Sequence, residues 1–380
     1  MKNILIFFFL LFVFVVPFIT KAQSQNNLLE TQIAMNDSNE KHVMLDIAMN
    51  NFFKNNEYFN DISTGYTLIG SQLATQIAYM PRPNIRIQTG VFFHKDFGND
   101  TMLIVKPLLT MKYQKNGYSF LFGNLESNFS HRMVEPLYNY ERYITHPLES
   151  GLQFKIDRPN IWSDSWLNWE KMEYVGSNFQ ERFSVGHHTN YSLFQNKKDK
   201  LTIDGQFIFS HRGGQIDIDT TPLQTIVNTA IGITYTLHFN RFLFKQFKTE
   251  SYYINFFDLS PTSQLAYSKG RGISLNVSTS LRHGFQVAMS YWDGFQFVSS
   301  RGGTLFQSIA SEYGKVGYVE PQRQLLFLRV QYARKVLDML NVDVRFEPFI
   351  DLNKSTLEYA YSLYFTYKND FSIFNFCKKK

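Results

Sequence analysis

Leu357-Glu358-Tyr359-Ala360-Tyr361-Ser362-Leu363-Tyr364-Phe365-Thr366-Tyr367-Lys368 alternates apolar and polar positions without a break. In a strand, successive side chains point to opposite faces. Leu357, Tyr359, Tyr361, Leu363, Phe365 and Tyr367 therefore share one face, and Glu358, Ala360, Ser362, Tyr364, Thr366 and Lys368 share the other. One face suits lipid and the other tolerates water, as a membrane-spanning β-strand requires. A soluble sandwich also alternates, so the remainder of the chain has to separate the two.

The same pattern recurs upstream. Val227, Thr229, Ile231, Ile233, Tyr235, Leu237 and Phe239 oppose Asn228, Ala230, Gly232, Thr234, Thr236 and His238. Ile273, Leu275 and Val277 oppose Ser274, Asn276 and Ser278, and Phe285, Val287 and Met289 oppose Gln286, Ala288 and Ser290. About sixteen strands follow from such runs and the turn residues between them. They lie near 42–54, 65–80, 84–95, 101–114, 117–126, 150–158, 160–171, 179–194, 199–211, 225–239, 248–258, 272–282, 284–297, 322–335, 340–350 and 355–369.

The connections favour a barrel over a sandwich. Pro81-Arg82-Pro83, Lys115-Asn116-Gly117, Arg158-Pro159-Asn160, Asn196 to Asp199 and His283-Gly284 are tight. The intervening ones include long stretches near 127–149, 212–224, 259–271 and 298–321. Short periplasmic turns alternating with longer external loops characterise outer-membrane barrels, and an even strand number puts both ends in the periplasm. The 38 Phe and 22 Tyr residues gather near run ends, where aromatic girdles meet lipid headgroups.

The N-terminus reads as an export signal. Lys2 precedes an apolar run from Ile4 to Ile19, and Thr20-Lys21-Ala22 offers small residues for cleavage before Gln23. That run is shorter than the roughly 20 residues of a spanning helix. The chain thus divides into a signal peptide (1–22), a polar, Asn-rich periplasmic lead-in (23–41) and a β-barrel (42–380). Losing Lys2 and Lys21 lowers the formal charge from +6 to +4. That charge, with no basic cluster, excludes nucleic acid as a partner. The single Cys377 rules out an internal disulfide, and the nine His lack metal-ligand spacing. No cofactor is called for.

The signal ending in Lys21-Ala22-Gln23 and the long aromatic strands resemble outer-membrane porin-like barrels of Bacteroidetes-type bacteria. So do the stretch Gly123 to Gly151, with His131-Arg132, Glu135-Pro136-Leu137-Tyr138 and Pro147-Leu148-Glu149, and the run Trp166-Leu167-Asn168-Trp169-Glu170. The resemblance implies a Gram-negative outer-membrane location, surrounding outer-membrane lipid and an all-β transmembrane barrel. It assigns no substrate.

Strand parity selects candidate pore-lining residues. Trp162, Asp164, Trp166 and Glu170 share the inward parity of the seventh strand, and indole rings interleaved with carboxylates suit a sugar or peptide track. Arg182, His188, Arg329, Asp343, Arg345 and Glu347 also fall inward. The 127–149 loop supplies His131, Arg132, Glu135 and Arg142 as candidates for a constriction.

One motif points to catalysis instead. In Gly186-His187-His188-Thr189-Asn190, His187 and Thr189 share the outward, lipid-facing parity. This resembles loosely the His and Ser, two residues apart, of outer-membrane phospholipases, with Thr in place of Ser and Tyr191 in place of the usual Gly. No third member of a triad stands out. The first reading is therefore a non-enzymatic porin for small hydrophilic solutes moving down a gradient, with glycan export close to it. A lipid hydrolase using His187 and Thr189, or a plugged structural barrel, are the alternatives. A homotrimer stays open, since barrels of this width often form trimers.

Overall fold

The computed structural model describes residues 26–101, 103–239 and 243–376. The expected signal peptide lies outside them. The strands begin with β1 (His42–Phe59), β2 (Thr64–Arg82), β3 (Ile85–Asp96), β4 (Leu103–Lys115), β5 (Tyr118–Asn124) and β6 (Ser150–Arg158). They continue as β7 (Ile161–Lys171), β8 (Glu181–Gln195), β9 (Asp199–Gly213), β10 (Gln224–His238) and β11 (Phe244–Asp258). β12 (Lys269–Leu281), β13 (Phe285–Phe295), β14 (Gln322–Leu337), β15 (Leu340–Asp351) and β16 (Thr356–Asn375) complete the wall.

Each strand pairs antiparallel with its sequence neighbours, and β16 returns to β1 with Tyr367 opposite Met49 and Leu363 opposite Phe53. Closure satisfies the backbone without leaving an edge to lipid. The sixteen strands are those read from the sequence, but several run longer. β1 passes the expected end at 54 and continues to Phe59. The first of its added residues are polar on both faces, Asn55 and Glu57 outside and Asn56 inside, before Tyr58 and Phe59 end the strand. A strand that rises beyond the lipid no longer needs an apolar face, so alternation stops before the hydrogen bonding does.

The turn read at Asn116-Gly117 takes positive φ at both residues, 51° and 77°. That is the geometry a two-residue hairpin prefers, because it matches the strand twist. The chain start of β1 lies at the same end as these tight turns, with Val43 opposite Tyr79.

The two faces separate as the pattern requires. On β16, Leu357 is 63% exposed on the outer wall, while Glu358 and Ser362 are 3% and 2% exposed on the inner one. The lumen is largely filled. The β5–β6 connection, 125–149, carries a short helix α1 (Arg142–Thr145) and folds inward, as does the β13–β14 connection, 296–321. Leu137, Tyr138, Phe297 and Phe306 from these loops pack with Trp166, Trp292, Leu325 and Phe349 of the wall. Burying a large apolar side chain contributes about 1.5–3 kcal/mol. The loops also bond to each other, Asn139 N–H to the Arg301 carbonyl at 2.8 Å and Gly303 N–H to the Glu135 carbonyl at 2.9 Å.

The stretch expected as a periplasmic lead-in is described from Asn26 onward and runs inside the barrel. Thr31 N–H donates to Ser130 Oγ at 2.8 Å, and Ile33 N–H donates to Glu126 Oε1 at 2.9 Å. Lys112 Nζ holds the Ile33 carbonyl at 2.7 Å. A polar segment can be buried in this way because the lumen supplies the hydrogen bonds that water otherwise would.

Candidate active site

Most of the charged side chains assigned to the lumen face it, yet they are tied together rather than free. Arg329 reaches Glu347 of β15 and Glu135 of the inward loop, the latter at 3.0 Å. Arg345 and Gln331 both donate to Asp343. Glu170 lies near the rim, where it accepts from Ser184 Oγ at 3.0 Å and pairs with Arg301. Arg182 is exposed at the same rim.

The solute track expected along β7 is corrected. Trp166 is 2% exposed and lies beneath the His131 ring. Asp164 is fully buried, accepting from His131 Nδ1 at 2.9 Å and from Gln153. Trp162 is capped by the Arg132 guanidinium, 4.7 Å above its ring, and meets His188 edge-on. His188 itself is buried between the His131 carbonyl and Asp204. The period-two pattern places these residues inward correctly, but it carries no sign of the loop that covers them.

That loop is held electrostatically. His131 donates from Nε2 to Glu149 at 2.6 Å and from Nδ1 to Asp164. Burial alone would depress its pKa, but the two carboxylates more than offset this and raise it to about 9. Glu126, absent from the sequence candidates, accepts from Lys112 at 2.7 Å and Lys155 at 2.6 Å. Burial would raise its pKa, and the two ammonium groups instead bring it down to about 2. Arg142 stacks over Tyr138 and comes within 4.0 Å of Glu149, and Arg132 pairs with Glu30 at 3.0 Å. The four loop residues proposed for a constriction thus fasten the loop. Among the described residues no cluster of His, Cys, Asp or Glu has the arrangement of a metal site.

A different constellation occupies the outer wall. His187 and Thr189 project to the same side of β8, two residues apart, and His187 Nε2 is 2.8 Å from Thr189 Oγ1. On β7, Ser165 lies opposite His187 and Ser163 opposite Thr189. Ser165 Oγ is 2.7 Å from His187 Nδ1, and Ser163 Oγ is 2.8 Å from Thr189 Oγ1. Two proton arrangements satisfy the chain, and in the one that leaves Nε2 able to accept, Ser163 donates to Thr189, Thr189 donates to Nε2, and Nδ1–H donates to Ser165. The other arrangement reverses all three donors, so the tautomer decides which ring nitrogen can act as base.

Apolar neighbours surround the four polar groups. Phe207 of β9 stacks on His187 with ring centroids 5.5 Å apart. Gly205 lies opposite Thr189, and a Cβ built there meets nothing within 4 Å, so the wall is notched beside the hydroxyl. Toward the rim, Trp169 stacks on Phe183 as part of an aromatic row. Four residues separate His187 from Phe183, about 13 Å along a strand at roughly 3.3 Å per residue. Aromatic rows mark the headgroup level, so the cluster faces the upper acyl region. The third member missing from the sequence reading is Ser165. Its only signal was a pair of serines at outward parity in Ser163-Asp164-Ser165-Trp166.

A closed barrel with a lipid-facing apolar wall defines an outer-membrane β-barrel protein. More narrowly, the chain belongs to the lipid A 3'-O-deacylase-type family, whose model matches residues 35–376. The family is named for an enzyme, which corrects the expectation of a non-enzymatic barrel. Among solved structures, the fold is similar to the outer membrane protein OprD from Pseudomonas aeruginosa. That match has 9% identity and a TM-score of 0.52, covering 87% of this chain and 95% of that one. It is also similar to a loop-deletion form of OmpT, an outer membrane protein of Vibrio cholerae. There the identity is 11% and the TM-score 0.50, covering 86% and 100% of the two chains. Identities this low carry the fold alone. A search of curated proteins returns no match.

Proposed function

We propose that the chain hydrolyses acyl ester bonds of a glycolipid of the lipid A class, at the outer-wall cluster. The observation that carries this is the continuous hydrogen-bonded run Ser165–His187–Thr189–Ser163 on a wall that presents mainly apolar groups to lipid. Membership of the deacylase-type family supports the same reading. Thr189 Oγ1 attacks the ester carbonyl carbon while its proton passes to His187 Nε2. The C–O bond to the sugar then breaks, and the imidazolium returns that proton to the departing alkoxide. A water molecule, deprotonated by the same nitrogen, attacks the acyl–Thr189 carbonyl. The C–O bond to Thr189 breaks, the imidazolium returns its proton to Thr189 Oγ1, and the fatty acid leaves. Ser165 keeps Nδ1 as the donor nitrogen, leaving Nε2 free to accept. Ser163 donates to Thr189 Oγ1 and holds that hydroxyl turned toward Nε2.

The site's depth suits an ester below the headgroup rather than a headgroup phosphodiester. The test is fatty-acid release from lipid A by the full mature chain in detergent, read by mass spectrometry. Thr189→Ala and His187→Ala are each expected to lower the rate by about 10²–10⁴-fold, the range of positioned acid–base groups. Thr189→Ser retains activity. Undiminished release by Thr189→Ala discards the proposal.

A further inference from the structure

The lumen keeps a space on the side away from His187. A cavity of about 200 Å³ lies between the inward β5–β6 loop and the inner wall of β11–β14. We propose that it is a binding site for an uncharged, ring-sized saccharide. This rests on the lumen alone and is independent of the outer-wall hydrolysis.

Three features of the lining define the ligand. First, Ser274, Asn276, Ser278 and Ser290 present hydroxyl and amide groups from β12 and β13. Asn276 donates to Ser274 at 3.3 Å, while Ser278 and Ser290 have no side-chain hydrogen bond among the described residues. Second, aromatic rings of Tyr140, Tyr252 and Trp292 border the same space. Trp292 is 1% exposed, and its indole N–H meets no acceptor, which is costly unless a ligand or water supplies one. The indole fits only because Gly272 and Gly294 flank it, since a Cβ at either would come within 3 Å of the ring. Third, the charged groups of the lining are matched in pairs. Arg132 is with Glu30, Arg329 with Glu135, and Lys248 with Glu250 at 2.6 Å.

Three cations and three anions leave no net charge to attract an ion, so an anionic or cationic solute would have to break a pair. A sugar ring needs none of this. Its C–H face lies on aromatic rings and its hydroxyls exchange hydrogen bonds with Ser and Asn. The volume is below the ~300 Å³ at which pockets begin to admit drug-sized ligands, which limits the occupant to about one ring.

The test is saturation-transfer NMR on the full mature chain in an amine-oxide detergent, which carries no sugar, with glucose, N-acetylglucosamine, arginine and glutamate as probes. Transfer to the ring protons of either sugar is expected, and a Ser278→Leu/Ser290→Leu double variant should weaken binding about tenfold or more, as two lost hydrogen bonds and a filled cavity require. Asn276→Ala provides a milder second variant, and the heat-dependent gel shift of a closed barrel reports folding of each. Absence of sugar signal at 50 mM probe (about the weakest binding such contacts give) overturns the proposal. So does stronger transfer to arginine or glutamate, or sugar binding that both folded variants leave unchanged.

Discussion

His131 lies face to face with Trp166, ring centroids 3.6 Å apart and planes within 9° of parallel. Glu149 and Asp164 occupy its two nitrogens, so a doubly protonated imidazole is clamped between two carboxylates and an indole face. The folded pKa, about 9, exceeds the ordinary value of 6.5. The stabilisation of the inward loop is therefore fully present below pH 6.5 and is lost as the pH rises through about 9. Hydrogen exchange of residues 125–149 in the intact barrel should accelerate between pH 7 and 10, after correction for the intrinsic rate. His131→Ala, which strands two buried carboxylates, should loosen the loop at every pH in that range, by about 3–5 kcal/mol.

Glu126 answers in the opposite sense. Its folded pKa is depressed to about 2 from 4.5, so its contribution is present above pH 4.5 and is lost as the pH falls through 2. It is shared by Lys112, Lys155 and the Ile33 amide. Glu126→Gln keeps an acceptor for Ile33 but leaves two buried ammonium groups without a counter-charge. The expected result is release of the segment 26–34, seen as protease cleavage there while the barrel still migrates as a closed species. Full protection of that segment would show that the ion triad does not hold it.

The wall was legible because its chemistry is local. Alternation in 357–368 and the Asn116-Gly117 turn each depend on residues adjacent in sequence, and lipid enforces the outer face of every strand. The interior was not legible for the converse reason. Glu149 and Asp164 are 15 residues apart and meet only through His131. The polar segment around Thr31 carries no mark of the serines that receive it. The outer site falls between these cases. Parity alone placed His187 with Thr189, but Ser165 enters only through the β7–β8 register, which no single strand encodes.

Gly186 stands opposite Trp166 across that register, and a Cβ built on it would lie 2.1 Å from the indole. The glycine is needed for the close approach, because its backbone is ordinary extended strand. Gly186→Ala must displace Trp166 and with it the His131 stack. We expect about 1–3 kcal/mol of destabilisation, typical of overpacking, read from the urea midpoint of refolded barrel. The same variant should speed exchange in the 125–149 loop. An unchanged midpoint would mean that the indole has room to move.

Ser165 makes the sharpest distinction between a catalytic chain and an accidental one. Its Oγ lies 2.7 Å from His187 Nδ1 and touches no reacting atom, so in the proposed mechanism it accepts from Nδ1–H and acts through the imidazole. Ser165→Ala removes that acceptor and lets His187 adopt the tautomer whose Nε2 carries the proton, which cannot take one from Thr189. A neutral hydrogen bond contributes about 0.5–1.5 kcal/mol, so kcat on a lipid A ester should fall up to about tenfold. KM should stay unchanged, because the acyl chain is bound by the apolar wall. Ser165→Asp should restore the orientation and raise the pH below which activity is lost, as a carboxylate favours the protonated ring. A merely structural serine would instead alter folding yield in both variants and leave the pH profile of the surviving enzyme where it was.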